Sequence, residues 1–113
     1  MIRLTLKGLP PLLNRSYKSG NGHFYKDSEQ TARQEAYAWQ AKAQYRQKPL
    51  ECPVSVVYEF YYARANTDWE SGVKGTQDAL NGIVWKDDVQ IIEATVRKYT
   101  DSKNPRVEIT IID

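Results

Sequence analysis

The 113-residue chain carries 16 Lys and Arg against 14 Asp and Glu, so its formal net charge is only +2. This length predicts a single domain, residues 1–113, with one hydrophobic core. The one cysteine, Cys52, excludes an intrachain disulfide and a cysteine-based zinc site. The sequence has neither an apolar run of about 18 residues nor a secretory signal pattern, so we expect a cytoplasmic protein without a membrane partner.

The charges are divided unevenly between the two halves of the chain. Residues 1–50 contain nine Lys and Arg against three Asp and Glu, whereas residues 51–113 contain seven against eleven. A basic half beside an acidic half suits a protein that attracts a polyanion such as DNA. A chance asymmetry between two solvated surfaces is the alternative interpretation.

The first predicted strand covers residues 2–7, where apolar and polar residues alternate. Two prolines follow and end it, since proline lacks the hydrogen-bond donor that a central strand requires. Residues 12–26 show no period and predict a long loop in which basic and aromatic residues alternate. Such a loop can hold phosphates and stack on bases, which makes Arg15, Lys18 and Lys26 candidate DNA contacts. A plain surface loop is an equal alternative.

The next segment predicts a helix from Ser28 to Arg46. Within it, Ala32, Ala36, Trp39 and Ala43 recur at spacings of four, three and four residues. We interpret these residues as the buried face, with Trp39 in the core. The alanines would also permit close approach to a sheet or to a second helix.

Residues 54–63 predict the strongest strand, since they are rich in β-branched and aromatic residues. The residues of one face are Val54, Val56, Tyr58, Phe60 and Tyr62. Because the other face is also fairly apolar, this segment is either a central strand or a strand that contacts a partner subunit.

A second helix is predicted after this strand, and Asp68 suits its N-cap. The apolar residues at helical spacing are Trp69, Val73, Thr76 and Leu80. Gly72 and Gly75 weaken a helix, so we expect a backbone, a nucleic acid or a partner helix to approach closely there. Asn81 and Gly82 then predict a left-handed helix stop.

The last two predicted strands cover Ile91–Tyr99 and Arg106–Ile112. The turn-rich residues 101–105 between them predict a hairpin. The order of elements indicates an α+β domain, with a mixed sheet of about four strands and two helices on one face.

Five carboxylates fall between residues 65 and 90, together with two lysines. The five are Asp68, Glu70, Asp78, Asp87 and Asp88. Like charges at short range repel unless a cation intervenes. Carboxylate oxygens suit Mg²⁺, which supports phosphodiester hydrolysis. The alternative is a solvated acidic surface on which Glu70, Lys74 and Asp78 form ion pairs along a helix.

The order of these residues resembles the signature of the RusA family of Holliday junction resolvases. The chain reads D-x-E-S-x-x-K-x-x-x-D-A-L over residues 68–80 and D-D-V-Q over residues 87–90. The family signature reads D-x-D-N-x-x-K-x-x-x-D-x-L, followed by D-D-x-Q. Two positions depart from it, because Glu70 replaces an Asp and Ser71 replaces an Asn.

The resemblance implies a homodimeric endodeoxyribonuclease that depends on Mg²⁺, with Mn²⁺ as the alternative ion, and that has no organic cofactor. It implies paired symmetric nicks in four-way DNA junctions during recombination and repair, in a bacterial or phage setting. It also implies metal ligands Asp68, Glu70 and Asp88, a catalytic Lys74, and supporting roles for Asp87 and Asp78. Asp68, Glu70 and Asp88 count among the catalytic residues as well.

Two paired nicks suit a two-fold symmetric dimer, with an interface on the strand 54–63 or on the alanine-rich helix. A branched-DNA-binding protein with weak or no catalysis is the second hypothesis. The third is an interaction domain whose acidic patch contacts a basic protein.

Overall fold

The computed structural model describes residues 1–12, 17–20, 23–26 and 28–113, and for residues 17–20 and 23–26 it describes the backbone only. The elements in these ranges are β1 (Ile2–Lys7), β2 (Tyr17–Gly20), β3 (His23–Lys26), α1 (Ser28–Gln44), β4 (Val54–Tyr62), α2 (Val73–Leu80), β5 (Ile91–Thr100) and β6 (Arg106–Ile112). A short 3-10 turn, Asp88–Gln90, leads into β5. No helix of these ranges has the length and apolar character needed to cross a membrane.

The main sheet has four strands in the order β1-β6-β4-β5. β5 runs parallel to β4, whereas β6 runs antiparallel to both β4 and β1. A parallel neighbour requires a long crossover, and α2 supplies it between β4 and β5. The predicted α+β domain with a mixed four-stranded sheet is therefore confirmed.

The predicted hairpin between the last two strands is wrong, because β4 lies between β5 and β6. The loop 101–105 passes over the end of β4, where the Asp101 amide donates to the Tyr62 carbonyl at 2.8 Å. The Asp101 carboxylate accepts from the amide of Lys103 at 3.2 Å and pairs with Arg106 at 3.1 Å. A turn-rich loop fits adjacent strands and strands one position apart equally well, so the sequence could not separate the two topologies.

The core lies on the face of the sheet that carries both helices. The face predicted for β4 is confirmed, because alternate residues of this strand are buried from Val54 to Tyr62. The other strands and α2 contribute Leu4, Leu6, Ala79, Leu80, Val107, Ile109 and Ile111. Trp85, on the connection after α2, is fully buried among them.

The predicted buried face of α1 is wrong. Trp39 is 73% exposed, and the alanines of the predicted stripe are exposed as well. The buried residues are Gln30, Tyr37 and Ala41. The side of α1 that faces the sheet also carries Gln40 and Gln44, which bond to the backbone of β1, so it is polar in sequence. Apolar periodicity therefore identified the opposite face.

Those polar side chains close one edge of the sheet. Gln40 accepts from the Lys7 amide at 2.7 Å and donates to the Lys7 carbonyl at 2.8 Å. Gln44 forms the same pair of bonds with Thr5, at 2.9 and 2.7 Å. The Tyr37 hydroxyl continues the row by donating to the Gly8 carbonyl at 2.9 Å. The backbone of β1 is thus paired on its outer side by glutamine side chains in place of a further strand.

The segment predicted as a long loop contains the antiparallel pair β2 and β3, with Tyr17 opposite Lys26 and Gly20 opposite His23. Arg15 lies outside the described residues. Lys18 and Lys26 lie on the two strands, but their side chains are outside the description. The DNA contacts expected of these three residues stay a prediction.

Candidate active site

α2 is held close to its neighbours by two glycines. A Cβ on Gly75 would lie 2.8 Å from the Pro11 carbonyl oxygen, and a Cβ on Gly72 would lie 2.8 Å from the Phe60 ring. Such distances are too short for a real side chain, so both positions require glycine in this packing. The close approach predicted for these glycines is confirmed, and the approaching groups belong to the chain itself.

The five residues before α2, Asp68–Gly72, are here named the Asp68 turn. The expected N-cap is wrong, because α2 begins at Val73 with Gly72 as its cap residue. Trp69 is 55% exposed and does not join the core. The Tyr62 hydroxyl donates to the Trp69 carbonyl and accepts from the Gly72 amide, both at 3.0 Å. These two bonds fix the backbone of the turn to β4.

The side chains of the Asp68 turn are less constrained than its backbone. The backbone carbonyls of Asp68 and Glu70 accept from the amides of Ser71 and Val73, each at 3.1 Å. Both carboxylates are exposed, and neither forms a hydrogen bond or ion pair with the described part of the chain. Ser71, at the position where the family usually has Asn, is 7% exposed. The two carboxylates therefore remain available to a ligand.

Residues 87–90, here named the Asp88 turn, are tightly bonded. The Asp87 carboxylate accepts from the Val89 amide at 3.3 Å, and the Gln90 side chain accepts from the Asp87 amide at 3.0 Å. The Gln90 amide group also donates to the carbonyls of Leu50 and Cys52, at 2.8 and 3.0 Å. Asp87 and Gln90 thus build the turn that presents Asp88.

Asp88 lies against α2 and bonds to two side chains, Lys74 on the helix and Asn81 just after it. The Lys74 ammonium is 3.3 Å from the Asp88 carboxylate and 3.0 Å from that of Asp78. The Asn81 amide donates to Asp88 at 3.4 Å, and the Trp85 indole donates to the Asn81 oxygen at 2.7 Å. The Lys74–Asp78 pair is one of the two ion pairs that helical spacing indicated, and the other, Glu70–Lys74, does not form among the described residues. The signature named Lys74, Asp78 and Asp88. It missed Asn81, although Lys74, Asp78 and Asn81 are spaced at one helical face.

The charges of this cluster stabilise each other. Burial alone would raise the pKa of Asp88, but hydrogen bonds from Asn81 and Lys74 hold that pKa below its ordinary value. The bonds to Asp78, and then those to Asp88, raise the pKa of Lys74. At neutral pH Asp88 is therefore ionised and Lys74 is protonated.

Two buried tyrosines lie beneath the site. The Tyr58 hydroxyl donates to the Gln77 side chain at 3.1 Å. Burial raises the pKa of Tyr58, and the nearby Asp88 charge raises it further. Burial also raises the pKa of Tyr62 to about 12, partly offset by the Gly72 amide. Both phenols stay neutral hydrogen-bond donors across the physiological range, and they support α2 and the Asp68 turn.

The two turns leave the sheet from opposite ends. The Asp68 turn follows the end of β4, and the Asp88 turn precedes the start of β5, which runs parallel to β4. In the described residues, no three His, Cys, Asp or Glu side chains stand close enough together to hold a metal ion. The structure therefore assembles Lys74, Asp78, Asp88 and Asn81, while Asp68 and Glu70 stand apart as exposed carboxylates.

Comparison with known proteins gives a family and one relative. A stretch of 44 residues is 46% identical to the uncharacterized protein YqaN of Bacillus subtilis strain 168. The match covers 39% of this chain and only 30% of the relative, so it carries no activity with it. The family model for the endodeoxyribonuclease RusA matches residues 8–112. Because this match spans nearly the whole sequence, the chain belongs to the RusA family of endodeoxyribonucleases.

Proposed function

We propose that this protein is a divalent-metal-dependent, structure-selective endodeoxyribonuclease that resolves four-way DNA junctions in recombination and repair. The observation that carries the proposal is the cluster of Lys74, Asp78 and Asp88, in a chain whose family match spans residues 8–112. These three residues occupy signature positions, and the fold brings them together across 14 residues of sequence.

Asp68, Glu70 and Asp88 are the proposed ligands of Mg²⁺, with Mn²⁺ as the alternative ion. The three side chains offer only oxygen donors, which fit a hard cation. Mg²⁺ keeps several waters and takes one or two carboxylates plus phosphate oxygens, so a preformed three-carboxylate group is not required. A bound ion supplies charge stabilisation at the scissile phosphate.

Lys74 is the proposed catalytic cation of the chain itself. It is half exposed, so its ammonium can reach a DNA phosphate while α2 fixes its backbone. A protonated ammonium that donates to a phosphate or leaving oxygen offsets the negative charge that develops during cleavage. Asp78 holds the ammonium by its ion pair at 3.0 Å, and Asp87 supports Asp88 by shaping its turn.

The proposed active form is a homodimer. A four-way junction is resolved by two nicks in strands of like polarity. A two-fold symmetric protein presents one site to each strand, which matches the symmetry of the junction.

A branched-DNA-binding protein with weak or no cleavage is the second candidate. Glu70 and Ser71 favour it, since they replace the Asp and Asn of the family signature. The described residues also contain no group of three carboxylates placed to hold a metal ion, which favours it as well.

The test is a synthetic four-way junction incubated with Mg²⁺, Mn²⁺ or Ca²⁺, beside a linear duplex of the same sequence. We expect paired symmetric nicks from the wild type, and their loss in Asp68→Asn, Asp88→Asn and Lys74→Ala with junction binding retained. Lys86→Ala is the matched control, since Lys86 pairs with Glu51 outside the site. Junction binding that survives EDTA, with no product under any metal, would establish the second candidate.

A further inference from the structure

The two edges of the main sheet are treated differently. The outer side of β1 is closed by the glutamines of α1. At the other edge, β5 spans ten residues, Ile91–Thr100, and in the described part of the chain it pairs with β4 alone. Its outer backbone groups therefore form a row of donors and acceptors ready to pair with another strand.

β5 bears charged residues, but it lacks most of the other devices that protect such an edge. It contains no proline or glycine, and its pairing with β4 is irregular only at the Val54/Ser55 step near its start. Its one lysine, Lys98, turns back to its own chain and donates to the Ala65 carbonyl at 2.7 Å. Ile92 is 73% exposed and nearby Val89 is 80% exposed. This long, partly apolar edge can therefore accept a further strand.

The sequence of β5 is complementary to itself in one register. If two copies pair antiparallel about a two-fold axis at Thr95, Glu93 lies opposite the partner's Arg97, and symmetry repeats the pair. Ile91 then lies opposite the partner's Tyr99. A shift by two residues in either direction breaks both charge pairs. Directly opposed side chains have their Cβ atoms about 4.5–5.5 Å apart, close enough for these contacts.

We propose that β5 is the self-association surface of this protein, and that two copies join their four-stranded sheets into one through Glu93–Arg97 pairs around Thr95. This interface adds to the proposed function, and it rests on that function in one respect, the need for a dimer. Arg97 is free to take part, because its contact with Glu59 in its own chain is long, at 3.7 Å, and its side chain is 57% exposed.

A competing surface is the exposed side of α1, whose residues Ala32, Ala36, Trp39 and Ala43 were predicted to be buried. The Trp39 ring on that side has a cation–π contact within its own helix, since the Lys42 ammonium lies 5.6 Å from the ring centroid. This helix face presents no unpaired backbone, in contrast to β5. The experiment separates the two surfaces through Trp39→Glu.

The first test is a charge exchange followed by sedimentation over a range of concentrations. Glu93→Arg and Arg97→Glu each place like charges at both symmetric pairs, so each should weaken the dimer by about tenfold or more. The double variant, Glu93→Arg with Arg97→Glu, restores opposite charges and should return the dissociation constant to within about threefold of the wild type. Lys103→Glu, on an exposed loop, controls for the change in net charge and should leave it unchanged.

The double variant also separates the interface from the fold. Arg97→Glu loses the contact with Glu59, and the double variant loses it equally, so a folding defect would persist in both. Thermal unfolding of each variant monitors this.

The second test is a cross-link. In a Cys52→Ser background, Thr95→Cys places two thiols across the proposed axis, within the Cα separation that a disulfide accepts. We expect oxidation to link the copies at Thr95→Cys and not at Ser102→Cys.

A monomer at all concentrations overturns the proposal, as does a dimer that is indifferent to the charge exchange. Dissociation by Trp39→Glu alone would assign the interface to α1 instead. Junction cleavage is measured separately. If the protein cleaves junctions but dimerises through another surface, the β5 interface is wrong and the proposed function stands. If the protein dimerises through β5 but does not cleave junctions, the interface stands and the proposed nuclease activity is wrong.

Discussion

The Asp88 turn and the Asp68 turn both carry acidic residues of the family signature, but the fold holds them differently. The side chains of the Asp88 turn are bonded to each other, to α2 and to the carbonyls before β4. The Asp68 turn is fixed through its backbone to Tyr62, and its carboxylates are exposed. The difference indicates that one turn is organised by the protein, while the other presents side chains for a ligand to organise.

The largest expected effect is a loss of cleavage at both turns, with a loss of stability at only one of them. Asp88→Ala and Asp68→Ala should each lower junction cleavage by at least about a hundredfold, because both carboxylates are proposed to hold the ion that stabilises transition-state charge. Only Asp88→Ala should also change the free energy of unfolding, because only Asp88 bonds to Lys74 and Asn81. Cleavage rates and urea unfolding of the same preparations measure both quantities. Equal stability changes at the two positions would contradict the comparison.

A second prediction concerns the residue that builds the Asp88 turn. Gln90→Ala removes two hydrogen bonds to carbonyls and one to the Asp87 amide. We expect a loss of about 1–3 kcal/mol in unfolding free energy, since partly buried carbonyls lose their partner. The matched change at the other turn, Glu70→Gln, should alter stability by less than about 0.5 kcal/mol. Both values follow from denaturant titrations at one pH.

A smaller effect is expected at Gly75. An added methyl in Gly75→Ala would meet the Pro11 backbone at 2.8 Å, so α2 must shift. The cost should be about 1 kcal/mol or more, which is typical of overpacking. Because Lys74 sits on the same helix, the shift should also weaken cleavage while leaving junction binding intact. Unchanged stability would show that Pro11 yields without strain.

The smallest effect is the pH dependence of the Lys74–Asp88 pair. The pKa of Asp88 is below its ordinary 3.8, so its stabilisation is present above that value and is lost as the pH falls through the folded pKa. The pKa of Lys74 is above 10.5, so its stabilisation is lost only as the pH rises beyond that value. The stability difference between wild type and Asp88→Asn should therefore be less than about 1 kcal/mol at pH 7, because Lys74 is half exposed. A difference that persisted unchanged below pH 3.8 would contradict the pairing.

The sequence predicted those parts of the fold in which apolar side chains decide the structure. β4 has a clear alternation, and its buried face is the one predicted. The close packing at Gly72 and Gly75 followed from their helix-weakening character.

The errors arise where polar groups or long-range topology decide instead. α1 buries Gln30 and Tyr37 and uses two glutamines to close β1, and none of these reads as an apolar stripe. The neighbours of β5 and β6 depend on the crossover through α2, which local turn residues do not report.

The candidate site was predicted only in part, for the same reason. The signature named Lys74, Asp78 and Asp88, which the fold brings together. Asn81 and Tyr58 enter the site through tertiary contacts with Asp88 and α2, which no spacing in the sequence specifies. The roles of Asp68 and Glu70 as ligands remain predictions.

The position of Lys74 between Asp78 and Asp88 has a consequence for the order of events at the site. Its ammonium is an internal cation that partly neutralises the Asp88 carboxylate in the metal-free protein. If a divalent ion ligated Asp88 as proposed, it would compete with the ammonium for that carboxylate and leave Lys74 paired with Asp78 alone. The ammonium would then have one fewer partner and could contact a DNA phosphate, which would couple metal loading to DNA binding.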